Sequence, residues 1–437
     1  MTGLFRSHFR EPEWHAFLAF AIFLIVLGLC FITQPLLSLP EFRPHLGRQE
    51  GLPISPETPL MHREFLPVAA PSVHAPSLAE LPDGRLAAAW FAGSREGADD
   101  VRIVMSLYGR NPLEDETEAH AEADRQPQWQ APRTVANREQ TIRDTHRSIR
   151  KLGNPVLFVD GQRLHLFYVS ASLGGWAGSS INHRYSDDLG EHWSNATKLM
   201  TSPFLNVSTL VRTPPLKLSD GSLGLPVYHE LIHKYGEWLR LSPQGDVLSK
   251  VRMAHPRATL QPAVLPLSTR KALAFLRDSG TGQGYVQVSY TEDGGQHWRP
   301  GPALNLTNPN ASIAVLTLRD GRFLMAANPG EGRHLLELWI ARDPLQWDKV
   351  ATLDTGLPPG AVSVPPPPER TGQHPLAATD ESSYPALLQS RDGMIHLAFT
   401  WHRQRIQHIR FNTAWLEQQL RQRAETLPQA RTSVKKP

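Results

Sequence analysis

Polar side chains recur at matching places in a chain otherwise patterned for strands. At or near the start of successive apolar strand pairs stand His74, Asn154, Arg212, Gln261, Asn310 and Tyr384. The loops at the strand ends add Arg95, Asp99, Asp100, Trp176, His229, Glu230, Arg277, Asn328 and Arg333. The neighbours His229 and Glu230 are the most suggestive chemically, because a neutral imidazole can serve as a base near pH 7. The same pair would equally suit a hydrogen-bond network at a strand end. The sequence has no H-E-x-x-H, Cys/His cluster, P-loop or G-x-G-x-x-G, so no metal or cofactor is expected.

The elements that must position these residues are hairpins. An apolar strand, a turn and a second apolar strand recur as SLAELPDGRLAAAWF at 77, PVLFVDGQRLHLFYV at 155 and PLKLSDGSLGLPVY at 215. AVLPLSTRKALAFL at 263, AVLTLRDGRFLMAA at 314 and ALLQSRDGMIHLAF at 386 continue the series. Asp-Gly fills the turn at 83, 160, 220, 320 and 392, and glycine accepts the positive φ that a tight hairpin turn needs. A second motif, S/T-x-D-x-G-x-x-W, runs over Ser186, Asp188, Gly190 and Trp193, and again over Thr291, Asp293, Gly295 and Trp298. Ala341, Asp343 and Trp347 form a decayed copy. Such boxes read as structural turns, with the Asp capping backbone N–H groups and the Trp packing between sheets.

Six hairpins, each extended by further strands, predict an all-β, six-bladed β-propeller over 63–412, because radial repetition protects strand edges. The segment 414–424 reads as a short helix, and 413–437 as that helix plus a basic, disordered tail. The stretches 114–126 and 362–380 read as a solvated acidic loop and a long Pro-rich connection.

Composition bounds the rest. The chain has 437 residues, 40% apolar and 20% charged, and its mean hydropathy is −0.34. That excludes a multi-span membrane protein and a wholly disordered chain. A net charge of +3 without a dense Lys/Arg face does not argue for nucleic acid, and no nucleic-acid partner is expected. The single cysteine, Cys30, excludes an internal disulfide. Cys30 lies in AFLAFAIFLIVLGLCFI, an uninterrupted apolar run at 16–32. The expected order is a short tail at 1–13, a transmembrane signal anchor at 14–38 and a Pro-rich tether at 39–62. The anchor is expected to be retained, because no A-x-A pattern follows the run. The body is expected outside the cytoplasm, periplasmic or at the cell surface.

The boxes and hairpins together resemble the sialidase (neuraminidase) superfamily with its BNR, or Asp-box, repeats. The phrases that carry the likeness are HAPSLAELPDGRL, WFAGSREGADDVRI, GNPVLF, GGWAGSSIN, SDDLGEHW, NPNASIAVLTLRDGR and SYPALLQSRDGMIHLAFTWHR, over about 64–412. The resemblance implies a pocket on the propeller axis, three arginines on a sugar carboxylate, a Tyr nucleophile activated by a Glu, and an Asp acid/base. Carried over, Arg95 and Arg277 match clamping arginines, Asp99 or Asp100 the acid/base, and Tyr384 the nucleophile. Arg333 and Arg212 are candidates for the remaining clamp by position only. Two positions depart from the pattern: His74 stands for a clamping arginine, and Gln261 for the activating Glu. Trp176 could stack on a sugar ring.

Three functions follow. The first is a hydrolase of an acidic glycan. The second is a non-catalytic propeller binding a glycan or an envelope partner, with catalysis uncertain because of His74 and Gln261. The third, a polysaccharide lyase, would use His229 or Tyr384 to remove a proton beside a uronate carboxylate.

Overall fold

In the computed structural model the described residues are 18–25, 40–43, 58–109, 127–172, 175–202, 206–280, 284–330, 332–353, 356–358 and 381–426. Five of the repeated hairpins become the two inner strands of successive antiparallel sheets. Blade one is Ser72–Glu80, Leu86–Gly93, Arg102–Tyr108 and Arg133–Ala136. Blade two is Lys151–Asp160, Arg163–Ala171, Ser179–Ser186 and Thr197–Lys198. Blade three splits its inner strand into Leu210–Val211 and Leu216–Lys217, then adds Leu223–His229, Tyr235–Leu241 and Val247–Arg252. Blades four and five begin at Thr259–Pro266 and Ala314–Thr317. Blade six takes Ser382–Gln389, Ile395–Trp401 and Arg405–Phe411 from the end of the body and Met61–Phe65 from its beginning. Pairing of Met61–Phe65 with Phe411–Gln407 closes the ring.

The propeller is held together between blades. Each hydrophobic cluster draws mainly on two adjacent sheets, blades one and two sharing the largest and blades six and one closing the circle. Burial of a Leu, Val or Phe in these layers contributes roughly 1.5–3 kcal/mol. The Asp boxes are turns, as read. Asp293 accepts the main-chain N–H of His297 at 3.0 Å, and the indole of Trp298 donates to Gly295 O at 3.1 Å.

Every inner strand runs from one face of the disc, the funnel face, to the hairpin-turn face. Near the funnel end four inner strands carry the same irregularity. The register with the neighbouring strand slips across His74/Ser77, Gly153/Val156, Leu260/Ala263 and Ser383/Ala386. Within each slip one residue is left-handed and immediately precedes a proline: Ala75 (φ 58), Asn154 (φ 42), Gln261 (φ 53) and Tyr384 (φ 58). Left-handed backbone before proline is disfavoured, and such strain costs roughly 1–3 kcal/mol per site. Its fourfold recurrence marks a built device that turns one side chain per blade towards the axis.

The structure amends several expectations. Phe42, read as part of the tether, is 1% exposed and packs with Leu218, Trp238 and Trp298 on blades three and four. The last residues of the tether range, Met61 and His62, are already strand. A helix at Arg138–Thr145, capped by Asn137 Oδ1 accepting Gln140 N–H at 2.8 Å, links blades one and two and was not anticipated. The C-terminal helix is present as Thr413–Thr426, with Trp415 and Leu416 buried. Residues 18–25 are helical, and no helix among the described residues is long and apolar enough to cross a membrane. Cys30, most of 14–38, and the stretches 114–126, 362–380 and 427–437 lie outside the described residues.

Candidate functional site

The four bulges bring side chains from different blades into contact. Gln261 Nε2 of blade four donates to Tyr384 Oη of blade six at 3.2 Å. Arg277 Nη1, on the strand beside Gln261, donates to Gln261 Oε1 at 3.4 Å. Asn154 Nδ2 of blade two donates to Tyr228 Oη of blade three at 3.0 Å. Burial pushes the Tyr228 hydroxyl well above its ordinary value, and Glu230 and Tyr384 add to the shift. The floor of the funnel is thus two tyrosine hydroxyls, two amides and a guanidinium.

Arginine roles divide. Arg212 is 3% exposed and lies under the floor. Its Nη1 donates to Pro76 O at 3.0 Å, and its Nη2 to Tyr384 O at 2.7 Å and Pro385 O at 3.0 Å. It therefore fastens the bulges of blades one and six to blade three. Burial lowers its pKa to about 10, so it remains a cation at neutral pH. Beyond it, towards the turns, the axis holds a cavity of about 90 Å³ lined by Leu78, Val264, Val315 and Leu387. Arg212 is thus a keystone between blades, and it also lines that cavity. Arg333 reaches Asn310 Oδ1 at 2.7 Å and Glu381 at 2.8 Å, and its Cζ stands 5.3 Å from the Tyr384 ring centre.

Glu381 was missed by sequence reasoning. It accepts from Arg403 Nε at 2.6 Å as well as from Arg333 and Ser383, and Arg403 also pairs with Glu96. Burial would raise the Glu381 carboxyl, but His74, the two guanidiniums and the Ser383 hydroxyl hold it well below the carboxylate range. His74, 2% exposed, has its ring centre 4.2 Å from that of Tyr384, tilted by 50°. Burial, with Arg403 nearby, pushes its imidazole well below its ordinary value, and Glu381 opposes that shift. His74 also does not share the position of Asn154, Gln261 and Tyr384. Ala75 does, one residue later, and offers no functional group.

The remaining candidates fall at separate places. His229 points away from the funnel, stacked 4.7 Å from Tyr235 with its Nε2 at 3.0 Å from Leu231 O. Glu230 returns to the funnel side, where Lys234, Arg277 and Lys151 are its charged neighbours. The proposed His229–Glu230 unit is therefore split. Trp176 sits at the rim under Lys151, whose Nζ is 3.9 Å from the ring centre. A Cβ on Gly153 would fall 2.6 Å from that ring, so the close approach requires glycine. Asn328 is 1% exposed and ties Leu335 O and Ser382 O together, a joint between blades five and six. Arg95, Asp99 and Asp100 lie on an exposed loop, with Asp100 accepting from Ser94 N at 2.9 Å and Oγ at 3.0 Å. Among the described residues no cluster of His, Cys, Asp or Glu could hold a metal ion.

The comparisons with known proteins agree with this architecture. The BNR repeat-like domain family matches residues 84–397, most of the chain. The chain belongs to that family. This sialidase-like BNR chain superposes on a Dyadobacter fermentans protein of unknown function with a TM-score of 0.58 and 13% identity, covering 80% of this chain and 98% of that one. The NanB sialidase of Streptococcus pneumoniae gives a TM-score of 0.56 at 11% identity, over 83% of this chain and 71% of that one. The leech intramolecular trans-sialidase gives 0.58 at 12% identity, over 82% and 71%. Identities this low establish the shared fold. No curated protein matches the sequence.

Proposed function

We propose that this BNR propeller is a glycosidase acting on an acidic glycan, with Arg277 holding the ligand carboxylate and Tyr384 attacking the sugar carbon. One observation carries the reading. Arg277 Nε is a buried donor with no acceptor among the described residues, beside the Gln261–Tyr384 contact. Leaving such a donor unpaired costs about 1–3 kcal/mol, a cost that a bound carboxylate removes. The sialidases among the fold neighbours support a sugar as the ligand.

The test is a glycan panel of sialosides, uronate-containing polysaccharides and envelope glycans, read by mass spectrometry. The expected result is a released acidic sugar, lost in Tyr384→Phe while binding persists. Full activity in that variant would remove Tyr384 from the mechanism. A second reading, a binding propeller without turnover, is favoured by Gln261, which cannot take a proton from Tyr384. It gives retention on the glycan with no product. The lyase reading gives an unsaturated, ultraviolet-absorbing product instead. The apolar run at 16–32 supports membrane anchoring with the body outside the cytoplasm, which fractionation of the full chain would test.

A further inference from the structure

Gln261 leaves Tyr384 without a carboxylate partner, so any proton transfer in the funnel needs another group. Glu381 is committed to Arg333 and Arg403. Asp99 and Asp100 lie on an exposed loop, and Asp100 is committed to Ser94. Glu230 differs from these. Its main chain is pinned, the N–H donating to Ser208 Oγ at 2.7 Å, and Ser208 is fully buried in a left-handed conformation (φ 56). Glu230 follows the strand end at His229 and is a charged neighbour of Tyr228, whose hydroxyl belongs to the funnel floor. Three cations stand around it, Lys151, Lys234 and Arg277, each from a separate segment. Its carboxyl makes no salt bridge or side-chain hydrogen bond with any described residue.

We propose that Glu230 is the proton-transferring residue of this funnel, supplying the proton that the leaving oxygen requires; the inference rests on the glycosidase reading above. The glycosidic C–O bond breaks with its electron pair passing to the leaving oxygen, which takes the Glu230 proton. Tyr384 Oη bonds to the sugar carbon and its proton passes to solvent. Water then displaces the tyrosine oxygen, giving one proton to Glu230, and the tyrosine oxygen recovers one from solvent. Burial raises the Glu230 carboxyl above its ordinary value, which favours the protonated form this role begins from.

Sialosides and glucuronides would each be offered in two forms, as a natural-linkage glycoside and as the 4-nitrophenyl glycoside, whose leaving group needs no proton. The protein is the full chain, intact and as Glu230→Gln. Read as kcat/KM, which reports the steps up to release of the leaving group, the proposal expects a loss of about 100-fold or more on the natural glycoside and less than about threefold on the nitrophenyl glycoside. Equal loss on both would make Glu230 a binding residue, and no loss would exclude it; either overturns the proposal and leaves the glycosidase reading standing. No turnover of either form by the intact chain overturns both. Should Glu230→Gln fail to fold, the pH profile of the intact chain on the natural glycoside decides. Turnover must fall as the pH rises through the titration of the acid, and a profile without that limb overturns the proposal.

Discussion

The two faces of the disc use the same six blades in opposite ways. On the turn face, backbone and side chains repeat together: Gly84, Gly221, Gly321 and Gly393 all adopt φ between 84 and 89, and the preceding Asp caps the turn. On the funnel face the backbone repeats while the side chain changes, from Ala75 to Asn154 to Gln261 to Tyr384. Where both repeat, selection has kept a scaffold. Where a strained backbone repeats beneath differing polar groups, the strain serves to present them.

The largest effect should come from acid, and from the turn end. His165 Nδ1 and His183 Nε2 stand 2.9 Å apart, and His396 Nδ1 and His408 Nε2 stand 3.0 Å apart. Burial drives all four imidazoles down, to about 4 for His165 and about 3 for the others. Below pH 6.5 the unfolded chain takes up protons that the native pairs refuse. Stability should therefore fall between about pH 6.5 and 4, by up to about 1.4 kcal/mol per histidine for each pH unit. Thermal melts across that range check this, and a flat midpoint would contradict it.

Next is the joint between the faces. Arg212→Met leaves the carbonyls of Pro76, Tyr384 and Pro385 without their donors, and the expected loss of stability is about 3–5 kcal/mol. Denaturant titration would show it, and an unchanged midpoint would make Arg212 a ligand contact after all. Asp293→Ala, on the turn face, should cost about 0.5–2 kcal/mol by uncapping its box, with ligand binding unchanged. The mildest effect belongs to the rim: Trp176→Ala should weaken glycan binding by about 1 kcal/mol and leave the melt close to that of the intact chain.

Much of the fold was readable because the turn face is written locally. Asp-Gly between alternating apolar residues sets each hairpin without reference to any other blade. The funnel was half readable. Tyr384, Gln261, Asn154 and Arg277 follow from their places on the strands. The left-handed position before proline falls on Ala75, next to His74, and the prolines at 76, 155, 262 and 385 mark that register in the sequence. Glu381, Arg403 and Tyr228 were missed for a physical reason. Their partners sit on other blades, and Tyr228 lies in the apolar run LGLPVYH, where an aromatic reads as core.

The most direct test of a carboxylate site on the funnel face is calorimetric titration with paired ligands. A sialoside and a glucuronide would each be compared with its carboxamide, on the intact chain and on Arg277→Met. The account predicts that one of the acids binds and that its carboxamide binds at least about tenfold more weakly. It also predicts that Arg277→Met loses the difference while melting like the intact chain. Equal binding of an acid and its amide, or an acid preference that survives in Arg277→Met, would contradict it.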